Sequence, residues 1–239
     1  MAMFNAFSLL GFGPGGWAPA LLSAALVTLL LSAAGFALGA VFGGVAAAAR
    51  VSRVRVLALL AEAYGTVFRG VPDLLTIYLF YFGGSMVLTS LAQWFGAEGF
   101  VGLPTFATGT LALGIISGAY QAEVYRGAYL AVDKGQAEAA YAHGLSKYLT
   151  LRLVVLPQLL RHAIPGLGNV WQLVLKDSAL ISVIGLVELM RQAQMGAGAT
   201  RQPFVFYVAA AALYFAIAAT TGVFFRRAEK RALRGLGRS

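Results

Sequence analysis

The stretch Trp17–Ala49, which contains no charged side chain, limits the fold of this chain more than any other feature. As one α-helix rising about 1.5 Å per residue, it would be roughly 50 Å long. The hydrocarbon core of a bilayer is only about 30 Å thick. We therefore expect a membrane span within residues 20–49 with an interfacial start. No positively charged region precedes this run and no clear cleavage site follows it, so we interpret it as a retained span rather than a signal peptide.

Composition extends the membrane interpretation to the whole chain. Hydrophobic residues make up 59%, charged residues 11%, and the mean hydropathy is +0.78, whereas a soluble domain has about 25% charged residues. Apolar runs long enough to cross a bilayer occur five times, at residues 20–49, 70–91, 105–125, 167–189 and 204–225. An amphipathic helix that carries Glu62 precedes the second run. The sequence predicts an all-α integral membrane protein, a single domain over residues 1–239 with five transmembrane helices.

The distribution of lysine and arginine predicts the orientation, because cytoplasmic links hold the positive charge. No basic residue precedes Arg50, and residues 92–104 contain only Glu98 as a charged residue. The basic residues of the other links and the tail are Arg53, Arg55, Arg126, Lys134, Lys147, Arg152, Arg161, Arg191, Arg201, Arg226, Arg227, Lys230, Arg231, Arg234 and Arg238. We expect the amino terminus outside and the carboxyl terminus in the cytoplasm. The net charge of +9 then indicates contact with anionic lipid rather than nucleic acid.

A polar segment, Glu138–Pro157, interrupts the apolar runs and is too polar to cross lipid. We expect a short helix over residues 136–143, ended by Gly144 in the left-handed conformation. Ser146 is a candidate cap for a second helix, Lys147–Leu156. Two short helices joined at a glycine would form a compact knob that suits a groove on a partner. An ordinary helix–turn–helix link is the alternative.

The spacing within this segment is similar to the EAA loop of ATP-binding-cassette (ABC) import permeases. Glu138-Ala139-Ala140 is followed by three residues and Gly144, then by nine residues, Val154, one residue and Leu156-Pro157. In that family the loop is where the ATPase subunit holds the permease. The resemblance implies a cytoplasmic loop over residues 126–165 whose coupling residues are Glu138, Ala139, Ala140, Gly144, Leu156 and Pro157. It also implies the fold of a type I ABC importer permease.

Further motifs resemble the polar amino-acid uptake branch of this family. They are Phe68–Leu75 (FRGVPDLL), Gly118–Glu123, Arg126–Ala128, Lys134–Gln136, Ala163–Gln172 and Leu175–Leu180 (LKDSAL). The first and last are most like permeases for histidine, arginine, lysine or ornithine and for opines. Two departures are small: Val154 replaces the usual isoleucine, and Asp133 stands where proline often occurs.

The resemblance implies a division of labour in the bacterial inner membrane. Such a permease pairs with a second, similar membrane subunit or with itself, binds two ATPase subunits inside, and receives an amino acid from a solute-binding protein outside. No Walker A motif occurs in the sequence, so we expect no ATP hydrolysis by this chain and no cofactor. With no cysteine, and with His143 and His162 as the only histidines, we expect no metal site.

Ionisable residues inside a membrane are costly and therefore indicate function. Asp177 and Lys176 fall near the middle of the fourth span, and Glu123 lies on the third. We take these three and Ser178 as candidates for the substrate path. The acidic groups, with Asp73 and Glu188, favour a basic amino acid. The alternatives are ion pairs between helices, a pair of Glu123 with Arg126, and hydrogen bonds of Ser178 and Ser182 across a helix interface.

Small residues, aromatic residues and Arg69 have predicted structural positions. Gly35, Gly39 and Gly43 form a small-residue ridge for close helix packing. Trp17, Trp94 and Phe204–Tyr207 are candidates for the aromatic belt at the membrane interfaces. Arg69 is expected at head groups, or in contact with Asp73 or a neighbouring helix.

Two other functional classes fit the sequence less well than an importer subunit. An ion-coupled secondary transporter usually has more spans and internal repeats, and no internal repeat is present in this sequence. A non-transport membrane scaffold would not account for the spacing of the polar segment. The chain is accordingly identified as resembling an ABC amino-acid permease subunit.

Overall fold

Two long helices running side by side in the same direction form the centre of the molecule. The structure is a computed structural model and describes residues 9–96 and 98–232. Helix α1 is Ala18–Val51 and helix α4 is Thr105–Ala131. The fully buried residues of α4, such as Leu113, lie against α1 on one side and against later helices on the other.

The glycine ridge of α1 makes this close packing possible. A Cβ atom added to Gly39 would collide with the Ser117 hydroxyl, and one added to Gly43 would lie 2.8 Å from the Cβ of Gln121. Only a residue without a side chain lets the two backbones approach this closely. The predicted ridge is therefore confirmed as the contact between α1 and α4.

The second and third helices lean on this pair. Helix α2, Arg55–Gly70, is the predicted amphipathic helix, and its Tyr64 hydroxyl donates to the Ile115 carbonyl of α4 at 2.6 Å. Helix α3, Asp73–Trp94, is interrupted by one π-helical turn at Leu79–Gly83.

Side chains of α3 form hydrogen bonds with the loop between α3 and α4. The backbone N–H of Val101 donates to the Thr89 hydroxyl at 3.0 Å, and that of Leu103 donates to the Ser85 hydroxyl at 3.1 Å. These bonds satisfy backbone groups that a loop at a membrane surface must pair.

The polar segment differs from the predicted knob in its second half. Helix α5, Lys134–Ala142, is separate, as expected. Helix α6, Lys147–Thr150, instead continues through a π-helical turn, Leu151–Val155, into helix α7, Leu156–Asp177. The second helix begins at Lys147 as predicted but does not end at Leu156, so the prediction of a short second helix was wrong. Pro157 has no N–H to donate within this continuous path, and the π turn directly before it is where the regular hydrogen-bond ladder is already interrupted.

The predicted fourth span, 167–189, is not one continuous helix. Helix α7 ends at Asp177, and the chain tightens into a 3₁₀ helix, Ser178–Ile184, followed by Gly185 with φ of 95°. Helix α8, Leu189–Thr200, then starts a new direction and is followed by helix α9, Pro203–Ala232.

All described secondary structure in residues 9–96 and 98–232 is helical, so the all-α fold class is confirmed. Among those residues, three helices are long and apolar enough to cross a membrane: α1, α3 and α9. The count of five spans stays a prediction, with α4 and α7 as the further candidates. Arg234 and Arg238 of the predicted basic tail lie outside the described residues.

The two tryptophans predicted for the aromatic belt differ in packing and exposure. Trp17 packs edge-to-face on Phe206 with ring centroids 5.4 Å apart, which holds the start of α1 against α9. Trp94 is 86% exposed at the end of α3. Trp94 therefore has the exposure expected of a belt residue, whereas Trp17 contributes to the core.

Candidate functional site

Caps at both ends define α5, the first helix of the predicted coupling loop. The backbone N–H of Gly135 donates to the Asp133 carboxylate at 2.6 Å, so Asp133 caps the start of α5. At the other end Gly144 has φ of 81°, and the Leu145 N–H donates back to the Ala140 carbonyl at 3.1 Å. This hydrogen bond closes a glycine-terminated helix. Gly144 therefore ends the helix in the conformation that the sequence predicted.

The second helix of the loop, α6, begins at the predicted cap, and the base of the loop contacts α5. The Leu149 N–H donates to the Ser146 hydroxyl at 3.4 Å, which confirms Ser146 as the cap of α6. At the base of the loop, the Gln158 amide donates to the Val154 carbonyl at 3.1 Å and contacts the Gln136 side chain of α5 at 3.5 Å. The loop thus consists of two helices, α5 and α6, and α6 continues directly into α7.

The predicted coupling residues do not all lie at the same surface. Glu138, Ala139 and Gly144 are exposed on the loop, whereas Ala140 is buried. Leu156 and Pro157 lie at the base of the loop, where α7 begins.

Sequence reasoning missed the two exposed aromatic side chains of the loop. Tyr141 of α5 is 48% exposed, and Tyr148 of α6 is 65% exposed. Exposed aromatic side chains are enriched where proteins bind one another. The signal was present in the sequence as Tyr141 and Tyr148, which lie on either side of the predicted turn at Gly144. We call the exposed set of Glu138, Ala139, Tyr141, Gly144 and Tyr148 the loop surface.

Glu123 of α4 is the centre of an ion-pair cluster. Its carboxylate contacts Arg50 from the end of α1, Arg69 of α2 at 2.9 Å, and Arg126 of α4 at 3.1 Å. Arg69 also donates to the Gly65 carbonyl at 2.9 Å. The pair of Glu123 with Arg126 was one of the predicted alternatives, and two further arginines join it. We call these four charged residues the arginine cluster.

A second group of charged residues lies further along the bundle. Asp73 at the start of α3 and Asp177 at the end of α7 are close enough to interact electrostatically with each other and with Tyr120 of α4. All three are half-buried. Lys176, although adjacent in sequence to Asp177, is exposed, because successive side chains on a helix diverge by about 100°. Asp177 thus has an acidic neighbour from another helix.

Glu188, counted with the acidic groups of the path, has a structural position instead. It is fully buried and caps α8, where its carboxylate accepts from the backbone N–H of Met190 at 3.0 Å and of Arg191 at 2.8 Å. The Tyr214 hydroxyl donates to it at 2.8 Å, and Thr28 of α1 contacts it at 3.4 Å. Glu188 therefore joins α1, α8 and α9, and it is not available to line a path.

Ser178 bonds to the backbone of its own segment of the chain. Ser178 donates to the Leu175 carbonyl at 2.8 Å, one turn back along the chain. Ser178 and Ser182 are both buried. In the part of the chain that the structure describes, no group of three or more histidine, cysteine, aspartate or glutamate residues is arranged to hold a metal ion.

Comparison with known proteins accounts for nearly the whole chain. The family model described as "Binding-protein-dependent transport system inner membrane component" matches residues 39–234. The chain is 56% identical over 230 residues to the octopine transport system permease protein OccQ of Agrobacterium tumefaciens (strain Ach5), covering 96% of this chain and 97% of the relative.

A second relative and a solved structure agree. The chain is 36% identical over 199 residues to the histidine/lysine/arginine/ornithine transport system permease protein HisQ of Escherichia coli (strain K12), covering 83% and 87% of the two chains. A crystal structure of an amino acid ABC transporter with histidines matches with a TM-score of 0.75 at 34% identity, over 90% of this chain and 95% of that one.

Proposed function

The chain belongs to the family of binding-protein-dependent transport system inner membrane components, and from this premise we propose that it forms the translocation path of an ATP-driven importer for a basic amino acid or an opine. The observation that carries the proposal is the 56% identity to an octopine permease over 96% of the chain. Members of this family are permease subunits, and ATP hydrolysis belongs to their ATPase partners. An ion-coupled transporter is therefore the wrong class.

The loop surface is the proposed contact with the ATPase. Its helix α5 has a fixed start at Asp133 and a fixed end at Gly144, so it presents Glu138 in one orientation. The tyrosines at positions 141 and 148 supply the exposed aromatic area that interface centres use. The proposed assembly contains two ATPase subunits, one for each membrane subunit, whether the second membrane subunit is another copy or a paralogue.

The proposed mechanism is alternating access. ATP closes the ATPase dimer inside, and each loop moves with its ATPase subunit. Because α6 continues through the π turn into α7, movement of the loop is passed to the helix that ends at Asp177. A solute-binding protein outside then releases the amino acid into the opened path, and hydrolysis returns the path to the inward-facing state.

Asp73 and Asp177 are the proposed contacts for the cationic part of the substrate. Glu188 is bonded within the protein and Glu123 is surrounded by arginines, so these two aspartates are the acidic candidates that remain near Tyr120. Complementary charge selects partners and excludes wrong ones. The arginine cluster adjoins them through Arg69, which is also within electrostatic range of Tyr120, and it suits the carboxylates of an amino acid or an opine. Lys176 and Ser178 become secondary candidates.

Replacing Asp177 by Asn should weaken the response to a basic amino acid. The complex reconstituted in liposomes with its ATPase and solute-binding protein should hydrolyse ATP faster when arginine is supplied. For Asp177→Asn, we expect the arginine concentration needed for half-maximal stimulation to rise about tenfold or more, because a hydrogen bond to a charged group contributes about 1.5–3 kcal/mol.

Glu62→Gln is the matched control, because it also turns a carboxylate into an amide but lies exposed on α2. It should respond like the parent. Stimulation by glutamate and not by arginine would contradict the cationic path and leave Asp177 as a structural residue.

The orientation can be tested with single cysteines, because the natural sequence contains none. We place Ser146 of the loop in the cytoplasm and Glu98, between α3 and α4, outside. In spheroplasts, Glu98→Cys should react with a membrane-impermeant maleimide, and Ser146→Cys should react only after permeabilisation. The opposite labelling pattern would reverse the proposed orientation and would separate the loop surface from a cytoplasmic ATPase.

A further inference from the structure

A groove of about 490 Å³ lies between α1, α4 and the start of α7. Its α1 wall is made of small residues, among them Gly44 and Ala47, and its opposite wall includes Leu156 and Leu160. The side chain of Arg126 also lines the groove. The volume falls within the range of roughly 300–1,000 Å³ that is typical of ligand sites.

The charge beside the groove is positive. Arg126 belongs to the arginine cluster, in which three guanidinium groups share the single carboxylate of Glu123. Arg126 uses its Nε and Nη2 atoms for that carboxylate. A guanidinium has five N–H donors, so Arg126 can hold a further anionic acceptor. The groove therefore combines an apolar wall with a cationic group.

We propose that an anionic phospholipid of the cytoplasmic leaflet occupies this groove, with one acyl chain between the α1 wall and the leucines and its phosphate on Arg126. The choice of leaflet rests on the orientation proposed above. Anionic lipids are concentrated at the cytoplasmic surface and are attracted to basic residues there. An extended polypeptide fits less well, because its backbone N–H and C=O groups would lack partners against walls of this composition.

The position of the groove links the lipid to the coupling loop. Leu151, in the π turn that joins α6 to α7, lies on the groove wall together with Leu156. π turns inside α-helices are frequent at functional sites. A bound acyl chain would support the junction through which loop movement passes into α7.

Filling the groove tests the acyl-chain contact. A Cβ atom added to Gly44 meets nothing within 4 Å, so Gly44→Leu should place its side chain in the groove without disturbing the helix. The full chain, purified in detergent, is titrated with phosphatidylglycerol and followed by native mass spectrometry. We expect Gly44→Leu to bind the lipid about tenfold more weakly than the parent.

Gly127→Leu is the matched control, because an added Cβ at Gly127 also meets nothing within 4 Å and the residue is exposed on α4. It should bind phosphatidylglycerol like the parent. Equal binding by the parent and Gly44→Leu would overturn the proposal. So would a change of oligomeric state in Gly44→Leu with unchanged lipid binding, since that result would assign the groove to a second copy of the chain.

Neutralising the cation tests the head-group contact. Arg126→Gln should remove the preference for phosphatidylglycerol over phosphatidylcholine with the same acyl chains, while Glu123 keeps Arg50 and Arg69 as partners. Arg227→Gln, exposed on α9, should keep the preference. No preference in the parent, or an unchanged preference in Arg126→Gln, would overturn the head-group contact. Cysteine labelling reports the orientation separately, so the two failures can be distinguished.

Discussion

Gly144→Val is expected to cause a large loss of amino-acid uptake while the protein still inserts into the membrane. Gly144 has φ of 81°, and a left-handed conformation costs an ordinary residue about 1–2 kcal/mol and a β-branched residue more. The valine should therefore shift the end of α5 and turn the loop surface away from its partner. Uptake in whole cells and co-purification of the ATPase in detergent are the measurements, and both should fall about tenfold or more, because interface contacts fail together when their geometry changes.

Gly144→Asn separates conformation from side-chain bulk. A Cβ atom at Gly144 meets nothing within 4 Å, so the space around it is open, and asparagine tolerates the left-handed region. We expect Gly144→Asn to keep most of the uptake. A well-expressed Gly144→Val protein with normal uptake would count decisively against the coupling role of the loop.

Gly39→Val should have the largest effect on stability. Its added Cβ would collide with the Ser117 hydroxyl and lie 2.8 Å from the Gln121 amide, at the centre of the contact between α1 and α4. Overpacking of a tight interface costs about 1–3 kcal/mol, and sometimes more, because neither backbone can move without breaking other contacts. The thermal unfolding of detergent-purified protein should shift to clearly lower temperature, or the protein should fail to accumulate.

The matched control for this change is on the partner helix, α4. Gly127→Val introduces the same side chain at an exposed position, where an added Cβ meets nothing within 4 Å, and it should unfold at the temperature of the parent. Equal unfolding temperatures for Gly39→Val and Gly127→Val would show that close contact along the ridge does not limit stability.

The sequence predicted the features whose physical causes are local. A glycine that must adopt positive φ and a serine that caps the next helix both act within a few residues, so Gly144 and Ser146 could be placed without knowledge of the fold. The glycine ridge was recognised for a similar reason, because its spacing of four residues puts all three members on one helix face.

The sequence did not predict features that depend on how helices cross. Glu123 and Arg126 are neighbours on one helix, but Arg50 and Arg69 reach them only because α1 and α2 end beside α4. Similarly, Glu188 was counted with the path because its sequence position gives no sign that Tyr214 and Thr28 lie beside it. Burial of a carboxylate could not be inferred without those partners.

The end of α7 at Asp177 and the low hydropathy of α4 can be understood only from the packing of the helices. The run from Ser178 to Ile184 is as apolar as a helix core, so hydropathy alone could not reveal the change to a 3₁₀ helix. Helix α4 is not among the described helices that are apolar enough to cross a membrane. Its buried face is rich in alanine and glycine, small residues that suit contact with helices rather than with lipid.

The unbroken helical path from Lys147 to Asp177 has a mechanical consequence. At about 1.5 Å per residue this arm is roughly 45 Å long, so a tilt of about 10° at its base displaces its tip by about 8 Å. The π turn near the base and Pro165 within the arm are the places where it can flex, because both weaken the regular hydrogen-bond ladder. If the helix is stiff at the π turn and at Pro165, movement of the loop displaces Asp177. If it bends at either place, less of that movement reaches Asp177.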